Sequence, residues 1–501
     1  MSQQQGSGPV APLPVAAAVR EARAAGDHRR VARLLSDSPV EAWFAFPVHE
    51  LRAVLAGIPL RTRRSSIQLG MLGVMAGQPD QGGDLDSGRE HEQLRQGANH
   101  FRQRMRGAPR TALRWVQGAS ADAMRSASAL FDTTGGLEAV ASVQAGITQM
   151  LAGDLPRALA SFTRVQLNPP PNLPFLARDA YVKTALIHAQ FGDPGLARGL
   201  LAAAAPLPRT DSWAEAIIDA HAEIVGVLLL PVGAADAIAR IESISLGAVG
   251  ELWPYYVQAL HRVYIRAGRR SEGTRRVETL RLAGPPAEPG NGFPGSVFET
   301  TLAEDAILRG DAATARALLA RADPALVTTR FARAGVDLVT GNSLRVVRAM
   351  IGLQGATAGL RRLDIGRLAL MATALRETKD LDACVDVLRQ IRDHYGELGM
   401  EEQILLPTVL WPLIDEHLSG WMTPPVPGAP VVEVPEAGSS LTTRERDVLA
   451  CLVAGLNRDQ IAETLFISVN TVKTHQRSLF RKLGASNTAE ALVAASRRGL
   501  V

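Results

Sequence analysis

Apolar side chains in this chain recur chiefly at intervals of three and four residues, the spacing that places them on one face of an α-helix. The segment SVNTVKTHQRSLFRKLG at 468–484 is an example. Its apolar face would consist of Val472, Gln476, Leu479 and Leu483. Its other face would present Asn470, Lys473, Thr474, Arg477 and Arg481. A solvated surface helix would show the same pattern, so the rest of the chain must identify the surface that this face meets.

A short pattern repeats through the long part of the chain before residue 420. Clear copies are GDLPRALASF from 153, GDPGLARGLL from 192 and GDAATARALL from 310; weaker copies start at Gly233, Gly268, Gly341 and Lys379. Successive copies start 31 to 42 residues apart. Glycine suits the left-handed end of one helix, aspartate caps the next, and a small side chain five residues after the glycine permits close packing. Such a helix pair cannot bury its apolar face alone, so we predict that the pairs stack.

These repeats resemble a degenerate tetratricopeptide-type superhelix over roughly residues 140–415, although most consensus aromatic positions are absent. Residues 15–75 contain similar helix pairs, including GDHRRVARLL from 26. The composition agrees, because 46% of the 501 residues are hydrophobic but only 5% are aromatic, a balance that favours packed helices. The predicted fold class is all-α, with a helical-repeat (tetratricopeptide-like) solenoid followed by a small four-helix domain.

Three stretches interrupt the helical pattern. We expect a disordered N-terminal arm at 1–14, a mobile Gly/Asp-rich loop near 76–96 and a Pro-rich linker at 421–440. The linker contains five prolines in twenty residues. These stretches predict a helical-repeat sensor or interaction region at 15–420 and a separate domain at 441–501.

The basic excess of the chain lies in its last segment. Residues 441–501 contain nine of the 54 Lys and Arg residues and five of the 50 Asp and Glu residues, which leaves 45 of each sign before them. A localised basic excess favours a polyanionic partner through phosphate contacts, although a surplus on a solvated surface would look the same.

The remaining composition argues against an exported or membrane protein. Cys384 and Cys451 are the only cysteines and lie in helical patterns, so we expect neither a disulfide framework nor a cysteine metal site. The N-terminus has no signal-peptide pattern, and the apolar runs are too short to span a bilayer. We expect a cytoplasmic protein without membrane contact.

Four helix starts can be recognised in the last segment. Thr442 with Glu445 and Asn457 with Gln460 form capping-box patterns, and the pairs Ser468 with Thr471 and Asn487 with Glu490 open two further helices. Only Phe466-Ile467-Ser468 separates the second helix from the third. This spacing predicts a helix-turn-helix.

The same residues resemble the LuxR-type C-terminal DNA-binding domain of bacterial regulators. The matching signature comprises L-T-x-R-E at 441–445, G-L-N with I-A-E-x-L-F-I-S between 455 and 468, T-V-K-x-H at 471–475 and K-L-G at 482–484. One departure is Asn487, where the family usually has an arginine.

The resemblance implies that the helix at 468–484 enters the major groove of double-stranded DNA. Lys473, Thr474 and Arg477 would then face base edges, and the phosphates would lie nearer Asn470, Thr471, His475 and Lys482. Alternatives remain for some of these residues: Thr471 could act locally in its own helix turn, and His475 could be a half-buried packing residue. Arg481, Arg497 and Arg498 are most simply surface charges.

Catalytic motifs are missing from the sequence. We find no G-x-x-x-x-G-K-[ST] loop, no H-E-x-x-H helix and no G-x-S-x-G elbow, so we expect no enzyme, cofactor or metal. The arrangement resembles the C-terminal part of maltose-activator-like regulators without their ATPase. It implies a nucleoid-associated transcriptional regulator that binds DNA as a homodimer, senses a protein, peptide or small effector with its repeats, and has RNA polymerase as a candidate partner. The alternative is a helical-repeat interaction scaffold whose basic tail is a weak, non-specific nucleic-acid anchor.

Overall fold

Helices account for nearly all of the regular structure. The computed structural model describes residues 10–78, 100–118, 136–422, 441–497 and 500. The first helices are α1 (Pro14–Ala24), α2 (His28–Asp37), α3 (Pro39–Ala45), α4 (Val48–Ala56), α5 (Leu60–Arg64), α6 (Ile67–Met75) and α7 (Pro109–Gly118), with further helical residues at 100–105.

The central helices are α8 (Gly136–Ala152), α9 (Leu155–Leu167), α10 (Phe175–Phe191), α11 (Pro194–Ala204), α12 (Ala214–Leu228), α13 (Ala237–Ser243), α14 (Trp253–Arg266) and α15 (Arg270–Leu282). They are followed by α16 (Val297–Leu308), α17 (Ala312–Leu319), α18 (Val327–Val339), α19 (Ser343–Ile351), α20 (Gln354–Thr357), α21 (Arg361–Glu377), α22 (Leu381–Tyr395), α23 (Met400–Gln403) and α24 (Trp411–His417). Two 3₁₀-helices lie at Leu246–Leu252 and Thr408–Leu410. The last four helices are α25 (Thr443–Val453), α26 (Arg458–Thr464), α27 (Val469–Leu483) and α28 (Thr488–Arg497). The all-α class is thus confirmed.

Two short strands modify the expected N-terminal boundary. β1 (Val10–Ala11) pairs in parallel with β2 (Arg209–Thr210), and the backbone N–H of Leu13 donates to Asp211 Oδ1 at 2.8 Å. Leu13 is buried. Residues 10–14 therefore do not belong to a disordered arm, because paired backbone groups and a buried leucine offset the entropy of ordering them. Residues 1–9 lie outside the described residues.

The contacts divide the chain into two compact units. The first consists of Met1–Pro231, Ala235–Val263 and Gly284–Gly295, and the second of Val232–Ala234, Tyr264–Ala283 and Ser296–Val501. In the first unit α8 packs on α9 and α10, and α10 packs on α11 and α12. In the second, α16 packs on α17 and α18, and α18 packs on α19 and α21. In both units the first helix of a pair contacts its own partner and the first helix of the next pair, as in helical-repeat proteins.

The Gly-Asp pairs join helices largely as the sequence predicted. Gly153 and Gly310 have φ of 82° and 76°, and the Asp311 side chain accepts the Thr314 backbone N–H at 3.0 Å. Gly192 is an exception, with φ −111° and ψ −135°. A Cβ atom there would lie 2.4 Å from His188 Nδ1, so close packing and not a left-handed turn requires the glycine.

The positions five and nine residues after the first residue of each copy lie mostly in the core. The fifth-position residues Ala158, Ala197, Ala315, Val346 and Cys384 are all 0% exposed. At the ninth position, Phe162, Leu319, Met350 and Leu388 are also buried. The small fifth residue therefore lies where neighbouring helices approach, as the repeat pattern indicated.

The repeat region extends slightly beyond its predicted end. Trp421 and Met422 pack into the cluster that contains Leu418, and the Trp421 indole donates to the Gly396 carbonyl at 2.8 Å. These two residues therefore belong to the repeat region and not to the linker, since their large apolar side chains are buried. The rest of the predicted linker, 423–440, and residues 79–96 of the predicted loop lie outside the described residues.

None of the helices in the described ranges is both long enough and apolar enough to cross a membrane.

Candidate nucleic-acid interface

Residues 441–497 and 500 fold around a hydrophobic core of their own. Its central members are 0% exposed, namely Val448, Ile461, Val472, Leu479, Ala491 and Ala495. Helix α25 packs on α27 and α28, and α26 packs on α27. Because each of the four helices contributes side chains to this core, their mutual orientation is set within the segment itself.

The predicted caps open the helices of this segment. In the α25 capping box the Thr442 backbone N–H donates to Glu445 at 2.7 Å, and the Glu445 backbone N–H donates to Thr442 Oγ1 at 3.2 Å. Asn457 forms the equivalent box with Gln460, and Ser468 Oγ accepts the Thr471 backbone N–H at 3.1 Å. Asn487 Oδ1 accepts the Glu490 backbone N–H at 2.9 Å. All four predicted helix starts are confirmed.

A tight turn between α26 and α27 completes the helix-turn-helix. Phe466 has φ of 54°, in the left-handed region, and its side chain is 94% exposed. The Ile467 backbone N–H returns to the Ala462 carbonyl at 3.0 Å. The turn thus closes α26, which ends at Thr464, and lets α27 start at Val469.

One face of α27 is buried as the sequence predicted. Val472, Leu479 and Leu483 belong to the core, and Gln476 is 5% exposed. The buried Gln476 amide has a hydrogen-bond partner, since its Oε1 accepts a hydrogen bond from Arg458 Nε at 2.7 Å. This bond joins α27 to α26. It thereby fixes the direction in which the exposed face of α27 points.

The opposite face of α27 is open to solvent. Asn470, Lys473, Thr474 and Arg477 are all exposed. Within the ranges that the structure describes, Lys473 and Arg477 form no ion pair. Their donors are therefore free to bind an external acceptor, and Arg and Lys can both donate to guanine O6 and N7.

Two threonines and a histidine in α27 have more local surroundings. Thr471 Oγ1 lies 2.7 Å from Ser468 Oγ, and Thr474 Oγ1 donates to the Asn470 carbonyl at 3.0 Å. His475 is half-buried at the border of the two faces. Thr471 thus has a local hydrogen-bond partner at the start of its helix, and Thr474 is exposed.

The sequence predicted that Lys482 would lie near the DNA phosphates, but the structure pairs it within the domain. Its ammonium donates to Glu445 Oε2 at 2.8 Å, and the two side chains are only 14% and 4% exposed. Moving the ammonium to a phosphate would leave the buried Glu445 carboxylate without its cation, at a cost of several kcal/mol. Lys482 therefore connects α27 to α25 and does not belong to the exposed face of α27.

Sequence reasoning missed two arginines that position this face. Arg444 donates to the Leu465 carbonyl at 2.6 Å and so holds the end of α26 against α25. Arg458 holds Gln476, as described above. A polar residue within the apolar face of α27 was the signal that a partner was needed, but the sequence did not identify that partner.

The described residues contain no cluster of histidine, cysteine or carboxylate side chains that could hold a metal ion. The exposed face of α27 presents the positively charged hydrogen-bond donors of Lys473 and Arg477.

Comparisons with known proteins agree with this geometry. Residues 439–495 match the family described as bacterial regulatory proteins, luxR family. The transcriptional regulatory protein MctR of Rhizobium johnstonii is 44% identical over 68 residues, which are 14% of this chain and 32% of MctR. The HTH-type transcriptional regulator MalT of Yersinia pestis is 43% identical over 67 residues, 13% of this chain and 7% of MalT, and MalT of Yersinia pseudotuberculosis matches equally.

The chain spans only about a third of MctR and less than a tenth of MalT. The likeness therefore concerns one domain. On the family match, the regulator relatives and the helix-turn-helix geometry, this chain carries at residues 439–495 a DNA-binding domain of the LuxR family of bacterial regulatory proteins.

Proposed function

We propose that this protein is a sequence-specific, non-enzymatic transcriptional regulator that inserts α27 into the major groove of its operator. The observation that supports this most directly is the exposed face of α27, in a segment that matches the LuxR family. On this face Lys473 and Arg477 lie one helical turn apart and form no ion pair with any described residue. A helix in the major groove reads sequence through such donors.

The residues of the face divide into two groups by their expected partners. Lys473, Thr474 and Arg477 contact base edges, whereas Asn470, Thr471 and His475 lie nearer the phosphates. The hydroxyl of Thr471 contacts phosphate while it stays bonded to Ser468. Base contacts determine sequence preference and phosphate contacts determine position, so the two groups should respond differently to substitution.

The regulator binds its operator as a homodimer, with the two recognition helices about one turn of DNA, 34–36 Å, apart. Helix α28 is the proposed dimer surface, and the 52% exposure of Val493 on this helix supports that assignment. RNA polymerase is a further proposed partner, because a regulator of transcription acts on the enzyme that transcribes its target. Because a DNA-binding regulator acts on the chromosome, the proposed location is the nucleoid in the cytoplasm.

The helical repeats form the sensing region of the proposed regulator. Stacked helix pairs present continuous surfaces that bind peptides, proteins or small molecules in many unrelated proteins. Packing of successive pairs in both units supports such a surface. An effector bound there would change DNA binding only if it bound the two functional states with different affinities.

The test is selection of DNA sequences by the full chain from a random pool, followed by affinity measurements at fixed salt. We expect an enriched motif with two half-sites. Lys473→Ala and Arg477→Ala should each reduce discrimination between the motif and unrelated DNA by about 1–3 kcal/mol.

Arg481→Ala is the matched control, because it removes the same charge from the same helix without removing a proposed base contact. It should weaken binding to the motif and to unrelated DNA alike. Selection of no motif, together with equal losses for all three variants, would contradict the proposed function and favour the scaffold with a non-specific tail.

A further inference from the structure

The DNA-binding domain contacts the repeat region at one Gly-Asp turn of the second unit. Arg446 Nη1 lies 2.9 Å from Asp311 Oδ1 and 3.0 Å from Oδ2, and it donates to Thr314 Oγ1 at 2.8 Å. The Leu441 backbone N–H, at the start of the domain, donates to the Gly310 carbonyl at 3.3 Å. A side-chain ion pair and a main-chain bond thus join the start of α25 to the start of α17.

Asp311 differs in this respect from the other caps of the repeat. Like Asp154 and Asp193, it caps its own helix through a backbone N–H. The Asp154 carboxylate also pairs with an arginine, but this is Arg157 of the same helix. In the part of the chain that the structure describes, Asp311 is the repeat cap that binds a cation of the DNA-binding domain.

The ion pair between Arg446 and Asp311 is partly buried. The side chain of Arg446 is 27% exposed and that of Asp311 is 15% exposed. A charge-assisted contact with this burial is screened less by salt than a contact between exposed side chains. It can therefore hold the domain at physiological ionic strength.

The contact does not cover the exposed face of α27, since Lys473 and Arg477 remain exposed. Its effect on DNA binding must therefore act through charge and orientation. Asp311 neutralises one of the nine cations of the basic segment and brings a carboxylate close to a domain that must approach a polyanion. Docking also restricts the movement of the domain. Two domains of a dimer must reach the separation that the two half-sites of the operator impose.

We propose that the Gly310-Asp311 turn is a docking site for the DNA-binding domain, and that this contact restrains operator binding until it is released. The inference rests on the proposed function. By linkage, docking and operator binding oppose each other by the same factor, so whatever opens the contact raises operator affinity. A ligand that binds the repeats more tightly when the contact is open would act as the activating effector.

The experiment compares the full-length wild type with Asp311→Asn, Arg446→Gln and the double variant. Asparagine is as good a helix cap as aspartate, so Asp311→Asn removes the ion pair while it keeps the start of α17. Two quantities are measured: amide hydrogen exchange over residues 441–446 in the free protein, and operator affinity at fixed salt. For Asp311→Asn we expect faster exchange and at least about fivefold tighter operator binding.

The double variant separates release from the direct loss of a cation. Arg446→Gln should weaken operator binding in the Asp311→Asn background, where the contact is already absent. In the wild-type background the same substitution should weaken binding less or strengthen it, because it also releases the domain. The difference between the two effects measures the coupling.

Asp154→Asn is the control, since it alters the equivalent cap of another repeat and should change neither quantity. Unchanged exchange in Asp311→Asn would show that the contact does not hold the domain, and faster exchange without tighter operator binding would show that the contact has no regulatory effect. Either result overturns the inference. Failure of the proposed function would look different, because no variant would then distinguish the operator from unrelated DNA.

Discussion

At the scale of single residues, Glu445 connects most parts of the DNA-binding domain. Its carboxylate accepts the Thr442 backbone N–H at 2.7 Å and the Lys482 ammonium at 2.8 Å. Burial alone would raise the pKa of Glu445, but hydrogen bonds from Lys482, Ser478 and the Thr442 backbone outweigh burial and hold the pKa below its usual 4.5. A carboxyl group with a lowered pKa stabilises the folded state as long as it stays ionised.

We expect Glu445→Gln to destabilise the C-terminal domain by about 3–5 kcal/mol at neutral pH, because it removes the carboxylate charge with which the buried Lys482 ammonium pairs. The contribution of Glu445 is present above the unfolded pKa near 4.5 and is lost as the pH falls through the lower folded pKa. The variant should therefore lose less stability on acidification than the wild type. Amide exchange in α25 and α27 between pH 6 and pH 3 would measure both effects.

Glu463→Gln is the matched control for this prediction. It changes the same charge in the same domain at an exposed position. We expect its effect on stability to stay within about 0.5 kcal/mol. Equal losses in the two variants would show that the ion pair between Glu445 and Lys482 contributes nothing beyond general charge.

At the scale of elements, the separation of paired helices depends on small residues at the crossing points. Gly146 lies inside α8 against Phe162 of α9, whose side chain is 0% exposed. A Cβ atom at Gly146 would lie 2.5 Å from Phe162 Cε1. Glycine destabilises a helix by about 1 kcal/mol relative to alanine. At Gly146 the close packing of α8 on Phe162 offsets this loss. Gly199 in α11 has no such neighbour, since nothing lies within 4 Å of the place of its Cβ.

We expect Gly146→Ala and Gly199→Ala to change stability in opposite directions. Gly146→Ala should destabilise the first unit by about 1–3 kcal/mol, because the added methyl group pushes α8 away from Phe162. Gly199→Ala should stabilise it by up to about 1 kcal/mol through helix propensity alone. Thermal unfolding of the two variants beside the wild type measures both, and a shift of the same sign would contradict the packing argument.

At the scale of the whole molecule, the net positive charge and the helical repeats lie in different parts of the chain. Residues 1–440 carry 45 charges of each sign, and residues 441–501 carry the entire basic excess. Many charges of the repeat region are also paired internally, as in Arg178 with Glu215 at 2.6 Å and Arg361 with Glu402 at 2.5 Å. The repeat region should therefore attract polyanions only weakly.

We expect a chain that ends at Met422 to lose nearly all affinity for non-operator duplex DNA, whereas the full chain should bind it with a steep salt dependence. On non-operator DNA, where no bases are matched, we expect Lys473, Arg477 and Arg481 to lie against phosphates. The full chain with these three residues changed to Gln should therefore show a smaller slope, by about 0.9 for each phosphate contact that is removed. Titration of all three chains with labelled DNA at several salt concentrations provides the measurement. Affinity retained by the truncated chain would place the phosphate contacts in the repeats.

The sequence by itself determined the features that depend on neighbours within about four residues. The capping pairs that begin with Thr442, Asn457, Ser468 and Asn487 appear where predicted, because a cap joins a side chain to a backbone N–H two or three residues away. The buried face of α27 and the buried alanines of the repeats follow from the 3.6-residue period. These local rules were enough for the all-α class and the helix-turn-helix.

Only the tertiary structure decided the contacts between distant parts of the chain. Lys482 pairs with Glu445 across 37 residues, and Arg446 pairs with Asp311 across 135 residues. Strand β1 pairs with β2, about 200 residues later, and so orders a segment that resembled a free arm. The partner of a charge or of a backbone group at such separations depends on how the helices pack. A pattern with a period of a few residues contains no information about that choice.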